Sequence, residues 1–209
     1  NAKLEIQVNG SLISKPYINI TLQLLKSFGL KVVNNKDNCF LIKKNQIYSN
    51  PKEIYIEGDA SSATYFLAAA ALSGKVVRVN GVGKKSIQGD IRFIEILVKM
   101  GAEVKMGEDW IEVCSNKQLI SINEDFNDIP DAAMTVAILA LFAKGRTVIR
   151  NIGSWRVKET DRLSAMTIEL KKLGAQVVEG EDFLEVESPS KIHDATIDTY
   201  DDHRMAMCF

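Results

Sequence analysis

Lys99-Met100-Gly101-Ala102-Glu103-Val104 returns as Lys172-Leu173-Gly174-Ala175-Gln176-Val177, and more loosely as Ser27-Phe28-Gly29-Leu30-Lys31-Val32. The three glycines stand 72 and 73 residues apart, so the chain is an internal repeat before it is anything else. Each glycine closes an amphipathic helix. Phe93, Leu97 and Met100 lead into Gly101, and Leu163, Met166, Leu170 and Leu173 lead into Gly174, all at helical spacing. Glycine suits the left-handed residue that ends a helix. After each glycine the period drops to two, which predicts hairpins pairing Lys31–Val33 with Cys39–Ile42, Glu103–Met106 with Trp110–Cys114, and Gln176–Val178 with Phe183–Glu187. The turns between them are rich in Gly, Asn and Asp.

A second landmark keeps step. Asp59, Asp131 and Asp202 precede alanine-rich or apolar helical stretches and lie 72 and 71 residues apart. Gly74 and Gly145 then introduce the β-branched strands Val76–Val79 and Thr147–Ile149. One unit reads strand, helix, strand, helix, strand, strand. Two units are nearly complete, from about Glu53 to Ser115 and from about Leu119 to Ser188. The chain starts late in an earlier unit and stops early in a later one, so the repeat predicts a piece of a longer protein. Helices apolar on every side, such as those through Ala68–Ala71 and Ala137–Ala143, belong in an interior. The expected fold is α+β: βαβαββ units packed around buried parallel helices, with sheets outside.

Composition narrows the function classes. The 209 residues carry 26 Lys and Arg against 27 Asp and Glu, a formal net charge of −1, which argues against a general nucleic-acid binder. No apolar run approaches the roughly 18 residues of a membrane span, and no signal peptide is visible. The three cysteines, at 39, 114 and 208, have no metal-binding or redox spacing, so the expectation is a cytoplasmic chain with free thiols and no metal.

Polar residues that differ between equivalent positions point to function. Fifteen residues before the three glycines stand Ser14, Ser86 and Glu159; twelve before stand Tyr17, Gly89 and Arg162. Only the last unit carries Arg156-Val157-Lys158-Glu159-Thr160-Asp161-Arg162, and only the last helix start carries His203-Arg204. Lys158 and Arg162 are four apart, which on a helix would place both on one face near its positive end, a phosphate or carboxylate site. The alternative is a solvated charged turn in which Glu159 and Asp161 pair locally. Asp59, Asp131 and Asp202 each suit a helix cap, and repetition alone does not say which has a second task.

Ser14-Lys15-Pro16-Tyr17, Gly58-Asp59-Ala60-Ser61-Ser62-Ala63, Gln88-Gly89-Asp90, Ile129-Pro130-Asp131-Ala132-Ala133, Trp155 to Arg162 and Asp202-His203-Arg204-Met205-Ala206-Met207 together resemble the 5-enolpyruvylshikimate-3-phosphate synthase family over essentially the whole chain. The resemblance implies the two-domain enolpyruvyl-transferase fold, here truncated. Residues 1–56 would be the last part of one domain, and 57–209 two units and the start of a third of the other. It implies transfer of the enolpyruvyl group of phosphoenolpyruvate to the 5-hydroxyl of shikimate 3-phosphate, without cofactor or metal, by a monomer. Carried over residue by residue, Ser14, Tyr17 and Lys158 would bind shikimate 3-phosphate. Asp131 would hold its hydroxyls and accept a proton. Glu159 would be the proton-transfer partner, and Arg162, His203 and Arg204 would hold phosphoenolpyruvate. Where the family has Asn before the tryptophan this chain has Ser154, whose shorter side chain would reach the same substrate through water. The competing readings are a transferase acting on a UDP-linked N-acetylglucosamine and a non-catalytic phosphometabolite-binding fragment.

Overall fold

The computed structural model describes residues 2–10 and 12–209. Its first unit holds β1 (Leu4–Gln7), α1 (Lys15–Ser27), β2 (Val32–Asn35) and β3 (Cys39–Ile42). The second holds α2 (Ala60–Ser73), β4 (Val77–Asn80), a 3-10 turn at Gly89–Arg92 that runs into α3 (Phe93–Lys99), then β5 (Glu103–Met106) and β6 (Trp110–Cys114). The third holds β7 (Asn123–Asp125), α4 (Pro130–Ala140), β8 (Arg146–Arg150), a 3-10 turn at Gly153–Val157, α5 (Arg162–Lys172), β9 (Gln176–Glu179) and β10 (Leu184–Glu187). A last helix, α6, spans His203–Cys208.

The repeat is real in three dimensions. The sheets run β1-β3-β2, β4-β6-β5 and β8-β10-β9, each antiparallel and each with the expected hairpin, and β7 joins the third sheet parallel to β8. The three glycines that announced it all sit at positive φ, +81° at Gly29, +100° at Gly101 and +93° at Gly174, a conformation a side chain would strain. Strand burial alternates as a one-sided sheet requires: Leu184 and Val186 on β10, and Ile111 and Val113 on β6, face the core.

The helices divide into two sets. The second helix of each unit (α1, α3 and α5) covers a sheet. The alanine-rich α2 and α4 lie inside, and α4 packs against both α2 and α6. Nine residues of α4 are buried. Small side chains let α2 and α4 come close enough for the Thr64 and Thr135 hydroxyls to bond at 3.0 Å, so neither buried hydroxyl is left unpaired. Both threonines sit in the second turns of their helices, so α2 and α4 meet at the same level of the repeat.

One expected element is missing. The middle unit has no leading strand near Glu53. Ile54, Tyr55 and Ile56 are exposed, and among the described residues the backbone link to β4 here is Gly58 N–H donating to Gly81 C=O at 2.8 Å. The Glu57 carboxylate is drawn instead to the 86–88 loop, where it accepts from the Ser86 hydroxyl, Ile87 N–H at 3.0 Å and the Gln88 amide at 2.9 Å. Among the described residues no helix is long and apolar enough to cross a membrane.

Candidate active site

The starts of α2, α4 and α6 converge, and the chemistry collects there. Asp59 and Asp202 are caps. Asp59 accepts from Ser61 N–H at 3.0 Å and Ser62 N–H at 3.2 Å, and Asp202 from Arg204 N–H at 2.9 Å. Asp131 is not a cap. Pro130, with its fixed φ and no N–H, occupies the first turn of α4, so this helix begins two residues earlier in repeat register and Asp131 lies inside it. Among the described residues its carboxylate receives no backbone N–H. It accepts from Arg162 Nη1 at 3.2 Å on Oδ1 and from the Tyr17 hydroxyl at 3.1 Å on Oδ2, and Arg204 Nη2 forms an ion pair with Oδ2 at 2.9 Å. The buried Trp155 ties the turn before α5 to this point by donating Nε1–H to Pro130 C=O at 2.8 Å.

Arg162 is the hub, with 1% of its side chain exposed. Nε donates to Asp202 Oδ2 at 2.7 Å, Nη2 to Asp202 Oδ1 at 3.2 Å and to Glu159 Oε2 at 2.6 Å, and Nη1 to Asp131. A guanidinium has five N–H bonds, so four are spent and one remains on Nη1. Burial alone would raise the Asp202 carboxyl; the Arg162 side chain and the Arg204 amide outweigh it and hold it below its usual range. A fully buried Asp202 is tolerable only because Arg162 forks onto both of its oxygens. Glu159 keeps its other oxygen toward solvent, 3.9 Å from Nδ1 of the exposed His203.

Tyr17 comes from the first unit. Ser14 N–H donates to Asn127 C=O at 3.2 Å, and Pro16 lies so close to Gly89 that a side chain there would collide with its ring. This contact delivers the Tyr17 hydroxyl to Asp131 and brings its oxygen within 2.9 Å of Asp90 Oδ2, which accepts from the Ser61 hydroxyl at 2.6 Å. Burial pushes the Asp90 carboxyl up, with Asp131 adding to the rise against the Ser61 and Tyr17 bonds. Burial and the same two carboxylates push the Tyr17 phenol up as well, so it stays protonated.

The geometry thus gathers Tyr17, Asp131, Glu159, Arg162, His203 and Arg204. One expectation about this site is corrected. Lys158 and Arg162 do not share a helix face. Asp161 caps α5, accepting Ser164 N–H at 3.1 Å, so the helix starts at Arg162 and the exposed Lys158 precedes it. Arg156 belongs to a separate structural knot, paired with Asp161 and Glu179 at 2.9 Å each and donating to Gly180 C=O at 2.6 Å. Ser14 adopts the left-handed conformation at the start of α1 and leaves its hydroxyl out of the cap. The Ser154 hydroxyl is buried and has no partner among the described residues. Sequence reasoning assigned no role to Asp90 or Ser61, and saw Asp202 only as a cap. The Gln88-Gly89-Asp90 string was visible, but nothing in it says that Asp90 is buried against Tyr17.

The EPSP synthase (3-phosphoshikimate 1-carboxyvinyltransferase) family model matches residues 1–209. A 3-phosphoshikimate 1-carboxyvinyltransferase from Janthinobacterium sp. (strain Marseille) is 62% identical over 204 residues, covering 98% of this chain and 46% of that protein. One from Buchnera aphidicola subsp. Baizongia pistaciae is 60% identical, with 98% and 48% covered. The chain therefore spans about half the length of the curated relatives it matches. Among solved structures, an EPSP synthase from Acinetobacter baumannii superposes with a TM-score of 0.78 at 25% identity, over 99% of this chain and 49% of that one. The enolpyruvyl transferase NikO from Streptomyces tendae shares the fold, with a TM-score of 0.69 at 17% identity over 99% and 48%.

Proposed function

Since the chain belongs to the EPSP synthase family, we propose that it supplies one wall of an active site that moves the enolpyruvyl group of phosphoenolpyruvate to the 5-hydroxyl of shikimate 3-phosphate and releases phosphate. The observation that carries this reading is the Asp131 carboxylate, freed from capping and held by two arginines and a tyrosine. A carboxylate that merely closed a helix would need none of them.

The reaction asks an alcohol to lose a proton while its oxygen bonds to an alkene carbon, and asks the neighbouring alkene carbon to gain a proton. Expulsion of phosphate then returns that second proton and restores the double bond. Asp131 is the proton acceptor. Its Oδ2 accepts from Tyr17 and is ion-paired with Arg204, whereas Oδ1 has accepted one bond, from Arg162, and keeps a lone pair for a substrate hydroxyl. Glu159, with one oxygen on Arg162 and the other near His203 and solvent, is the second proton carrier. Arg204 and the remaining Nη1 hydrogen of Arg162 face the anionic enolpyruvyl donor, with His203 beside them. Ser14 and Lys158 face the phosphorylated alcohol, and the Ser154 hydroxyl, buried in this structure, is left out of that contact. Arg162 thus holds the two acid–base carboxylates apart as much as it binds a ligand. We assign residues 1–56 and 57–209 to two domains whose contact brings Tyr17 to Asp131. The protein is proposed to act as a monomer in the cytoplasm.

The test is phosphate release by the full-length protein given both substrates, with a UDP-linked N-acetylglucosamine as the rival acceptor. Release with shikimate 3-phosphate alone supports the reading; release only with the nucleotide sugar, or none, overturns it. The isolated 209-residue chain is expected to show no turnover in the same assay.

A further inference from the structure

Resting on that reading, we infer that Asp90 holds a proton and, through the Tyr17 hydroxyl, positions Asp131 as an ionised base, in a chain running from Asp90 O–H to the Tyr17 oxygen and from Tyr17 O–H to Asp131. The count of hydrogens carries the argument. The Tyr17 oxygen lies 2.9 Å from Asp90 Oδ2 and 3.1 Å from Asp131 Oδ2. A phenol brings one hydrogen. With both carboxylates ionised, one of these contacts would be two oxygens facing each other without a proton. One more proton turns both into hydrogen bonds.

The surroundings say which carboxyl takes it. Asp131 faces Arg162 Nη1 from α5 and Arg204 Nη2 from α6, two cations in contact that favour its anion. Asp90 has no cation within bonding distance among the described residues. Ser61 from α2 donates its hydroxyl to Asp90, and Tyr17 from α1 presents its oxygen. Asp131 from α4 repels its charge, and Arg204 attracts it only from beyond contact. Asp90 is 4% exposed, and its Oδ1 is buried with no partner. An unpartnered carbonyl oxygen of a neutral acid costs less in such a place than an unpartnered oxygen of a carboxylate. The upward push that burial gives the Asp90 carboxyl agrees with this. The chain gives Asp131 a third donor without adding negative charge beside a site for phosphorylated ligands. It leaves the lone pair on Asp131 Oδ1 for the substrate hydroxyl, whose proton goes to Asp131 itself.

The experiment compares Asp90→Asn and Asp90→Ala in the full-length enzyme. Asparagine is neutral, nearly the same shape, and can donate an N–H to the Tyr17 oxygen, so it imitates the protonated acid. The expected result is kcat/KM within about threefold of wild type for Asp90→Asn. For Asp90→Ala we expect a loss of roughly tenfold or more, because Tyr17 and with it Asp131 have lost an ordered partner. Asp90→Asn falling as far as Asp90→Ala overturns the inference, as does Asp90→Ala with wild-type rate. A second readout needs no activity. A carboxyl raised in the folded state contributes stability that is full below the unfolded carboxyl range and is lost as pH rises through the folded value. The melting temperature of Asp90→Asn is therefore expected to pull ahead of wild type as pH rises, and a constant gap overturns the inference. Absence of phosphate release in wild type would instead be the failure of the enolpyruvyl reading, and the melting comparison would still decide this one.

Discussion

The starts of α2 and α4 occupy the same place in the repeat, and each carries an aspartate in register with the other, yet the two do different work. Asp59 closes its helix onto two backbone amides. Asp131 has been released from that duty because Pro130 starts the helix early, and its carboxylate turns to Arg162, Arg204 and Tyr17. The start of α6 lies between these cases, since Asp202 both caps Arg204 N–H and forks onto Arg162. A repeat supplies one scaffold several times over, and function enters where a unit no longer needs a residue for the scaffold's own purpose.

The sharpest way to break this comparison is to remove each aspartate in the full-length enzyme. Asp131→Ala is expected to lower kcat by about a thousandfold, the scale of a general base. Asp59→Ala is expected to cost about 1 kcal/mol of stability, the scale of a cap, with a much smaller loss of rate. Equal small losses would make Asp131 a cap after all. Next in size is Arg162→Ala, which strands the buried Asp202 and should destabilise by about 3–5 kcal/mol, read by denaturant unfolding. Arg156→Ala removes two partly exposed ion pairs and a bond to Gly180 C=O in the same stretch and should cost about 1–2 kcal/mol. If the two arginines cost the same, Arg162 is not the hub.

Much of the fold was legible because its signals are local and repeated. The glycines at positive φ, the period-two hairpins and the alanine-rich inner helices each show in a window of ten residues. The site was legible in its members and not in its wiring. Arg162 meets Asp131 and Asp202 across 31 and 40 residues, and no spacing rule spans that distance. Two signals were present and underused. Proline at the first helical position already implied that Asp131 lies inside α4. Asp161 three residues before Ser164 already implied that α5 starts at Arg162, which takes Lys158 off the helix. Asp90 carried no such mark, because what distinguishes it is burial beneath a tyrosine from another unit.

A smaller effect separates Asp202 from a cap such as Asp59 by pH. Both carboxyls are held below their usual range against the opposing effect of burial, Asp59 by Ser62 and the Ser61 and Ser62 amides, and Asp202 chiefly by Arg162. A carboxyl lowered in the folded state contributes stability that is full above the unfolded range, near pH 4, and is lost as pH falls through the folded value. Asp202→Asn should therefore flatten the acid limb of the stability curve below about pH 4 more than Asp59→Asn does. Added salt should shrink the Asp59 contribution and spare that of the buried Asp202 pair.

The smallest expected effect asks what holds α4 to its early start. Pro130 pre-sets the first turn, but its carbonyl also accepts the Trp155 Nε1–H, and Asp131 is gripped from two other helices. Pro130→Ala keeps that carbonyl and the grip, and gives back only the freedom that proline had removed from the unfolded chain. It should cost about 0.4–1 kcal/mol in melting experiments and leave kcat within about threefold. Trp155→Phe deletes the bond itself and should cost about 1 kcal/mol, with a larger drop in kcat than Pro130→Ala at equal stability. Were Pro130→Ala instead to cost as much rate as Asp131→Ala, the proline alone would decide between cap and base. In that case the arginines would follow Asp131 to its position rather than hold it there.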